Sequence, residues 1–426
     1  MKTPEQRREE FNENDRANGG YIIDQYKQIK NVIETQDMKW VKERFRDLKA
    51  HAIAHTDFYA SYSPDDEFPV VNKSDILENY DQHKAKGGFM EPVHISSTSG
   101  STGIPFSVIQ DMKKRKRTIA DLHVFGERGD YPTHERMVFI RVLSAKLHRT
   151  PEQEDRENIY YVDSSDLSHD SIGRMVDTLI EKKPRTLLSM PTTLVEISKY
   201  VIMHNISSDV FTMKSVITTG EGLSDDNRRL LMKAFGCKVY RRYADMELGI
   251  MAQDMGDGGK YYLNWGSFYF ECLKTDRDEP AEKGEVGRIV VTDLFNYALP
   301  MIRYDTGDLG IMEQANENSL PYLKDIYGRK RDCIYTTDGK LISPAKVFVL
   351  MWGIEGVKQW QFIQKTQFNY VFKVNAEKDA DLTPAIDRLR NLLGDDAIID
   401  IELVDEIPVL SSNKRIAVKC EWKKPE

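Results

Sequence analysis

The sequence predicts an α/β protein: a large N-terminal α/β region with a β-rich part, followed by a small α+β C-terminal domain. Apolar runs typical of strands alternate with helical stretches from about residue 93 to residue 243, which favours a largely parallel sheet. After residue 260 such runs follow one another without helical stretches between them, which is typical of antiparallel strands. Roughly the last hundred residues have strand-like runs and one helical segment of their own, TPAIDRLRNLL, and therefore predict the small domain.

The first twenty residues, MKTPEQRREEFNENDRANGG, are predominantly polar, which predicts a solvated or frayed start. In DMKWVKERFRDLKAHAIA, the side chains of Trp40, Val41, Phe45 and Leu48 recur at helical spacing, so this stretch predicts an amphipathic helix. FPVVNKSDILENY then predicts a short extended piece and a capped helix.

Five apolar runs supply the expected strands of the alternating region: VHISST, MVFIRVLS, TLLSMP, KSVITTG and CKVYRRY. Helices are expected between them, for example at residues 193–204 and at 224–235, where SDD opens the second one. An Arg/Lys/Asp-rich connector near residues 327–330 marks the expected domain boundary. Residues 1–327 are the expected N-terminal domain, and residues 328–426 the C-terminal domain.

Composition argues against several classes of protein. The chain has 426 residues, and its 60 basic and 68 acidic residues give it a net charge of −8. It therefore lacks the excess of basic residues that is typical of nucleic-acid-binding proteins. The four cysteines are scattered without a CxxC pair, which argues against a zinc cluster or a disulfide framework. The sequence has neither an apolar leader nor a run of about 18 apolar residues. We therefore expect a cytoplasmic protein without a membrane partner.

The most informative segment is SSTSGSTGIP at residues 96–105. A loop rich in Ser, Thr and Gly after a strand offers hydroxyl groups and unhindered backbone N–H groups to phosphate oxygens. It is not a Walker A loop, because GxxxxGKS/T is absent and the loop has no lysine. Taken alone, the segment is equally compatible with a flexible linker.

Five further segments carry candidate residues: TTGEG (218–222), YADME (243–247), RYDTGD (303–308), GRKRD (328–332) and IPVLSSNKR (407–415). Alone, each has a simpler explanation, because Asp308 can cap a turn, while Glu247 and Lys414 can be surface charges. In this order they resemble the signature series of the acyl-adenylate-forming superfamily, and within it the phenylacetate-CoA ligase branch with its capsule-biosynthesis relatives. The resemblance extends over residues 38–422 and includes FYASYSPDDEFPVVNKSDI upstream of the loop.

This resemblance implies a site for ATP. The residues that correspond to the family's loop around the β- and γ-phosphates are Thr98, Ser99, Gly100, Ser101, Thr102 and Gly103. Gly220 and Glu221 correspond to the pair beside the adenine, and Tyr243 to the aromatic residue that packs on it. Asp308 corresponds to the aspartate that accepts both ribose hydroxyls, and Arg329 to an arginine that reaches the nucleotide.

The resemblance also implies which residues act on the acid. Lys414 corresponds to the lysine that bridges the acid and the α-phosphate, and Glu247 to the carboxylate that helps to hold Mg²⁺. Ala244 and Asp245 correspond to the acid pocket, where Asp245 either meets a substrate amine or serves only the turn. The usual YGxTE pattern is YADME here, so Ala244 replaces a glycine and Met246 replaces a threonine hydroxyl.

The expected function is therefore ATP-dependent activation of a small carboxylic acid to acyl-AMP, with Mg²⁺, followed by transfer to CoA. Two alternatives stay open: transfer to a carrier-protein thiol, a protein cysteine or an amine, and a degenerate nucleotide-binding protein without turnover. The resemblance also implies a C-terminal domain that is mobile about a hinge at Arg331. The motifs specify neither the acid nor the oligomeric state, and a homodimer stays open.

One basic run and one aromatic group have competing interpretations. The run KKRKR (113–117) is interpreted as the solvated face of a helix, with contact to CoA phosphates as the alternative. Trp265, Phe268, Tyr269 and Phe270 are expected in the core of the β-rich part, with lining of the acid site as the alternative.

Overall fold

The structure, a computed structural model, describes residues 2–97, 106–143, 149–329, 333–342, 347, 350–351, 354–408 and 416–422. The backbone groups into two compact units. The first unit is Met1–Thr306 with Ile311–Asp325, and the second is Gly307–Gly310 with Ile326–Glu426. The predicted boundary between two domains, at residues 327/328, stays a prediction, because this grouping does not show that either unit folds independently.

Helices and strands alternate through the first unit, and strands dominate the second. The helices within the described ranges are α1 (Pro4–Ala17), α2 (Tyr21–Thr35), α3 (Met38–His55), α4 (Lys73–Glu78), α5 (Tyr80–His83), α6 (Met112–Glu127), α7 (Pro151–Glu157), α8 (His169–Lys182), α9 (Pro191–Met203), α10 (Asp225–Phe235) and α11 (Thr383–Leu393). The strands are β1 (His94–Ser97), β2 (Ser107–Gln110), β3 (Met137–Arg141), β4 (Ile159–Asp163), β5 (Thr186–Ser189), β6 (Ser215–Thr219), β7 (Lys238–Asp245), β8 (Gly249–Gln253), β9 (Tyr262–Leu263), β10 (Phe268–Leu273), β11 (Gly287–Asp293), β12 (Tyr304–Glu313), β13 (Tyr322–Arg329), β14 (Ile334–Tyr335), β15 (Leu341–Ile342), β16 (Val357–Gln364), β17 (Asn369–Ala376), β18 (Ile398–Leu403) and β19 (Val418–Cys420).

A seven-stranded sheet forms the centre of the first unit, in the order β4-β3-β5-β6-β7-β8-β9. The strands from β4 to β7 are parallel, whereas β8 and β9 run antiparallel to their neighbours. Ile172 of α8, Leu194 of α9, Leu231 of α10 and Val216 of β6 share one buried cluster. Helices on a mostly parallel sheet are the arrangement that the alternating sequence predicted, so this part of the fold is confirmed.

The β-rich part is a four-stranded sheet in the order β10-β11-β12-β13. Strands β10 and β11 are antiparallel, with Phe268 opposite Asp293. Trp265, Phe268 and Phe270 are buried, and the ring of Tyr269 stacks on Phe45 of α3 with centroids 4.7 Å apart. These rings therefore pack in the core, as predicted.

The second unit contains a mixed sheet in the order β18-β17-β16-β19 and the short hairpin of β14 and β15. Leu389 of α11 packs in one buried cluster with Phe362, Phe372 and Val418 of the sheet. The small α+β region predicted for the end of the chain is thus confirmed.

The prediction of a frayed start was wrong, because residues 4–17 form helix α1. Thr3 and Gln6 build a reciprocal capping box at its first turn, which satisfies free N–H groups there. Arg7 donates to Asp155, with 2.9 Å between its Nη2 and the Asp155 carboxylate. Phe11 packs against His123 and His134. An apolar side chain, an ion pair and the hydrogen bonds from Arg8 to the Thr133 carbonyl therefore fix a helix whose sequence is otherwise polar.

The helices of the described ranges do not reach the combination of length and hydropathy that a bilayer crossing requires.

Candidate active site

Two of the predicted nucleotide segments lie at the carboxyl ends of neighbouring parallel strands. Strand β6 ends at Thr219, which is paired with Arg242 of β7, and Gly220 and Tyr243 are the next residues along the two strands. Gly220 has a φ of 79°, a left-handed conformation that favours glycine. Ligands in α/β sheets bind beyond the carboxyl ends of the strands, so both residues lie where such a ligand is expected.

Glu221 is held by the first turn of α9. Its Oε2 accepts a hydrogen bond of 3.0 Å from the Thr192 backbone N–H and one of 2.7 Å from the Thr192 hydroxyl. Free N–H groups and the helix dipole make this a favourable place for a carboxylate. Glu221 thus has a structural contact, which the sequence did not indicate, beside its predicted position near the adenine.

The turn between β7 and β8 contains the other predicted residues of this region. Asp245 Oδ1 accepts hydrogen bonds from the backbone N–H groups of Leu248, at 2.6 Å, and Gly249, at 3.4 Å. Such a bond from an aspartate to the backbone further along stabilises a turn. Asp245 therefore stabilises the turn, and its contact with a substrate amine stays a prediction.

Ala244 packs against an apolar cluster beside this turn. The cluster includes Ile29 of α2, Val124 of α6 and Ile250 of β8. A β-bulge between Tyr243 and Ala244 shifts the register with β8 at this position, and bulges redirect side chains at functional sites. The place of Ala244 in an acid pocket stays a prediction.

The two strands that flank the Ser/Thr/Gly loop contact this same turn. The predicted phosphate binders at residues 98–103 lie outside the described residues, but β1 and β2 on either side form an antiparallel pair. The Ser96 hydroxyl donates to the Met246 carbonyl at 2.8 Å, and the Gln110 side-chain amide donates to the Glu247 carbonyl at 3.3 Å. Segments about 150 residues apart in the sequence are thus joined by hydrogen bonds.

A buried lysine of α6 completes the attachment of the turn. Lys114 Nζ lies 2.8 Å from the Leu248 carbonyl and 2.7 Å from Asp293 Oδ2, and both charged side chains are 0% exposed. Burial raises the pKa of Asp293, while the Lys114 ammonium opposes this shift. A buried ion pair needs such additional hydrogen bonds to offset desolvation.

The interpretation of KKRKR as a solvated face was wrong for two of its residues. Arg117 is fully buried, and its guanidinium donates to Ser267 at 2.9 Å and to Gln28 at 2.7 Å. Asp121 is buried in the same network and accepts from the Ser267 hydroxyl at 2.6 Å. Lys114, Arg117 and Asp121 are spaced three and four residues apart, which places them on one helical face. Their burial could therefore have been predicted from this spacing in the sequence.

Tyr243 also contacts strand β12. Its hydroxyl lies 3.4 Å from Thr306 Oγ1, and the Thr306 hydroxyl donates to the Ile289 carbonyl at 2.9 Å. Tyr243 and Thr306 both belong to the first unit. The phenol is therefore tethered at the end of β7.

The remaining predicted residues belong to the second unit. Asp308 is half-buried in β12, next to Gly307, whose φ is 78°. Arg329 ends β13, and its side chain is outside the described part of the structure. Lys414 and the predicted hinge at Arg331 also lie outside the described residues. Their roles stay predictions.

Glu247, the predicted ligand of Mg²⁺, lies in the turn between β7 and β8. In the described ranges, its carboxylate makes no ion pair or side-chain hydrogen bond, although its backbone carbonyl accepts from Gln110. Those ranges contain no group of three or more His, Cys, Asp or Glu side chains that could hold a metal ion. Mg²⁺ typically binds one or two carboxylates together with substrate phosphates and water. Glu247 fits this mode rather than an all-protein cage.

The known proteins to which this chain is similar belong to one class of protein. Residues 334–421 match the family model of the CapK C-terminal domain. The chain is 23% identical to Protein CapK of Staphylococcus aureus over 93% of its own length and 92% of the relative. It is 22% identical to the phenylacetate-coenzyme A ligase of Pseudomonas putida, over 68% of this chain and 66% of the relative.

Solved structures share the fold at low sequence identity. A 2-hydroxyisobutyryl-CoA ligase in the postadenylation state, in complex with 2-HIB-AMP, superposes with a TM-score of 0.70 at 18% identity and covers 89% of each chain. An ATP-bound MatB from Rhodopseudomonas palustris gives a TM-score of 0.56 at 17% identity, over 75% of this chain and 65% of MatB.

The homology and the shared fold support the acyl-adenylate-forming superfamily, which confirms the recognition made from the ordered motifs. Within that class, the relatives are a CapK protein and a phenylacetate-coenzyme A ligase. These are the two kinds of relative that the motif series predicted.

Proposed function

We propose that this protein activates a carboxylic acid with ATP as an acyl-adenylate and then transfers the acyl group to the thiol of CoA. The observation that carries the proposal is the attachment of the β1–β2 pair to the turn of Glu247 through Ser96 and Gln110, while Lys114 of α6 holds the same turn at the Leu248 carbonyl. It supports one site in which a phosphate-binding loop and a metal-binding carboxylate act together. Because the proposed reaction uses ATP and CoA, we also propose a cytoplasmic location.

The first step joins two anions. A carboxylate oxygen of the acid attacks the α-phosphorus of ATP, the bond from that phosphorus to the bridging oxygen breaks, and pyrophosphate leaves. Bound Mg²⁺ would neutralise charge on the phosphates, and Glu247 would hold it. Lys414 would stabilise the charge that develops between the acid and the α-phosphate, which lowers the barrier only if the ammonium is already in place.

The second step transfers the acyl group. The CoA sulfur attacks the acyl carbon, the bond from that carbon to the phosphate oxygen breaks, AMP leaves, and the thiol proton passes to solvent. CoA is proposed because the phenylacetate and 2-hydroxyisobutyryl relatives are named as ligases of it. A carrier-protein thiol, a protein cysteine or an amine is the alternative acceptor, and exchange with an acid that gives no thioester after CoA is added would favour one of these.

The proposed acid is small. Ala244 stands where the family's pattern has glycine. An added methyl group at the floor of the acid pocket shortens the space for a substrate. We therefore expect aryl or short-chain acids to be preferred over long fatty acids.

The test is exchange of labelled pyrophosphate into ATP with a panel of aryl, short-chain and amino acids, followed by addition of CoA. Adenylation is reversible, so exchange is expected with at least one acid before any acceptor is present. Glu247→Gln should lose exchange while it keeps its fold. Asp257→Asn is the matched control, because Asp257 is an exposed turn carboxylate that accepts from Gly259 N–H at 2.9 Å. ATP binding without exchange across the panel would favour the degenerate alternative.

A further inference from the structure

Two histidines on the surface of the first unit face each other through their Nε2 atoms. His169 is the first residue of α8, and His204 directly follows the last residue of α9. Their Nε2 atoms lie 3.0 Å apart. Both side chains are exposed, and neither residue belongs to the proposed active site.

The surrounding residues hold the two rings in this arrangement. The ring of Tyr200 lies against both, with centroids 4.9 Å from His169 and 4.1 Å from His204. Gly173 leaves room for it, since a Cβ there would lie 2.8 Å from the Tyr200 hydroxyl. The ring of His169 presents its other nitrogen, Nδ1, to Asp170 Oδ1 at 3.8 Å. At that distance the carboxylate makes no hydrogen bond to the ring, so the packing of Tyr200 is what orients the two histidines.

We infer that His169 and His204 form a binding site for a divalent transition-metal ion. Imidazole is a preferred ligand of Zn²⁺, Cu²⁺ and Ni²⁺. At metal–nitrogen distances of about 2.0–2.1 Å, nitrogens 3.0 Å apart subtend an angle of roughly 90–100° at the metal. This angle matches neighbouring positions of a square-planar or octahedral ion, as for Cu²⁺ and Ni²⁺. Because the pair is exposed, water completes the coordination.

The consequence of binding is a link between two helices. The metal ties the start of α8 to the end of α9, whose own start binds Glu221 through Thr192. An ion that binds only the native state stabilises it by mass action. The site adds stability to the α/β layer and takes no part in the acyl transfer.

The experiment titrates the untagged full chain with NiCl₂ in a calorimeter, and measures the melting temperature with and without metal. Wild type should bind one equivalent and melt at a higher temperature with metal. His169→Gln and His204→Gln should each weaken binding at least tenfold and lose the thermal shift, because one imidazole remains. Both positions are exposed, so the variants keep the fold.

The chain offers a matched control in a second histidine pair. His51 and His55 have ring centroids 4.6 Å apart, but His51 Nε2 contacts the Tyr297 carbonyl at 2.8 Å. His55→Gln should therefore bind metal as wild type does. The inference is overturned if wild type binds no metal, if both variants at positions 169 and 204 bind like wild type, or if only His55→Gln loses binding.

Discussion

Two neighbouring carboxylates in the turn after β7 have different surroundings. Asp245 is occupied by two backbone N–H groups of the turn. The carboxylate of Glu247 makes no such contact within the described residues, although the backbone around it is fixed by Gln110 and Lys114. A turn that is rigid in its backbone and has one carboxylate available is suited to hold a metal ion at a constant position. The metal-binding role of Glu247 stays part of the proposal, and the structure shows a turn contact for Asp245.

The first prediction concerns Asp308 and the ribose. Asp308→Ala should weaken ATP binding about ten- to a hundredfold, since hydrogen bonds to a charged group contribute about 1.5–3 kcal/mol. Calorimetric titration with ATP measures the affinity. Asp305→Asn is the control three residues away, because Asp305 pairs with Arg288 at 2.8 Å. It should lower the melting temperature and leave the affinity near wild type. If Asp308→Ala binds ATP with an affinity within a factor of two of wild type, Asp308 is not the residue that binds the ribose.

The second prediction concerns the buried ion pair beside the turn. Lys114→Met leaves the Asp293 carboxylate buried without its cation, which should cost about 3–5 kcal/mol of unfolding free energy. Pyrophosphate exchange should fall as well, because the Leu248 carbonyl loses its donor. Lys113→Met is the control, since Lys113 lies over the ring of Tyr297 and does not reach the turn.

The pH dependence of this variant has a definite sign. Burial raises the pKa of Asp293 above its value in the unfolded chain. The native state therefore takes up a proton first as the pH falls, and protonation relieves the uncompensated charge. The loss of stability in Lys114→Met should be smaller at pH 5 than at pH 8, measured by denaturant unfolding. An equal loss at both values would show that the cost comes from packing.

Among the elements, the periodic ones could be predicted from sequence and the polar ones could not. Helices expected at 193–204 and 224–235 are Pro191–Met203 and Asp225–Phe235, because their apolar faces repeat at helical spacing. Helix α1 was missed, since its stability comes from a cap and from contacts more than a hundred residues away. Local pattern carries no information about such partners.

The same limit applies to the candidate site. The order of the motifs predicted the superfamily, and the strand-and-helix alternation explains how Gly220 and Tyr243 reach one sheet edge. The bond from Ser96 to Met246 joins distant segments, and the capping of α9 by Glu221 is specific to this packing. Neither leaves a periodic signal in the sequence.

The third prediction concerns how helix α1 is held. Phe11 lies between His123 and His134, with ring centroids 5.0 Å and 5.2 Å away. Burial lowers the pKa of His123 to about 4, helped by His134 and opposed by Asp15. Burial, with Arg8 and Arg7 nearby, also lowers the pKa of His134 to about 4.

Both shifts destabilise the protein in acid. The unfolded chain binds protons near pH 6.5 and the native state only near pH 4, so stability should fall between these values. Allowing for partial solvent access, the loss is about 2 kcal/mol for each ring. A double variant with His123→Gln and His134→Gln should have a flatter profile in denaturant unfolding, whereas His204→Gln should follow wild type. Parallel profiles of the double variant and wild type would contradict this account.

At the scale of the whole molecule, the predicted site residues fall in both compact units. Gly220, Tyr243 and Glu247 lie in the sequence of the first unit, and Asp308 and Lys414 in that of the second. The residues proposed for the reaction thus come from both parts of the sequence. In the proposed scheme, Lys414 acts only in adenylation, while the second step needs only the acyl-adenylate and a thiol.

The fourth prediction follows from this separation of steps. Lys414→Ala should abolish acyl-adenylate formation with little change in ATP affinity, because the lysine stabilises charge only in the first transition state. Supplied with pre-formed acyl-AMP and CoA, the variant should transfer the acyl group at a rate close to wild type. Two assays measure this: pyrophosphate exchange for the first step and thioester formation from acyl-AMP for the second.

A second lysine five residues further on provides the control. Lys419 lies in β19, opposite Ile363 of β16, and its Nζ is 2.7 Å from Glu421. Exposed pairs of this kind contribute little to stability, so Lys419→Ala should be near wild type in both assays. If Lys419→Ala instead loses the first step, the assignment of the bridging lysine moves from position 414 to 419. If Lys414→Ala is equally slow in both steps, the lysine supports folding or movement of the second unit rather than the chemistry, because a group specific to one transition state cannot slow the other reaction.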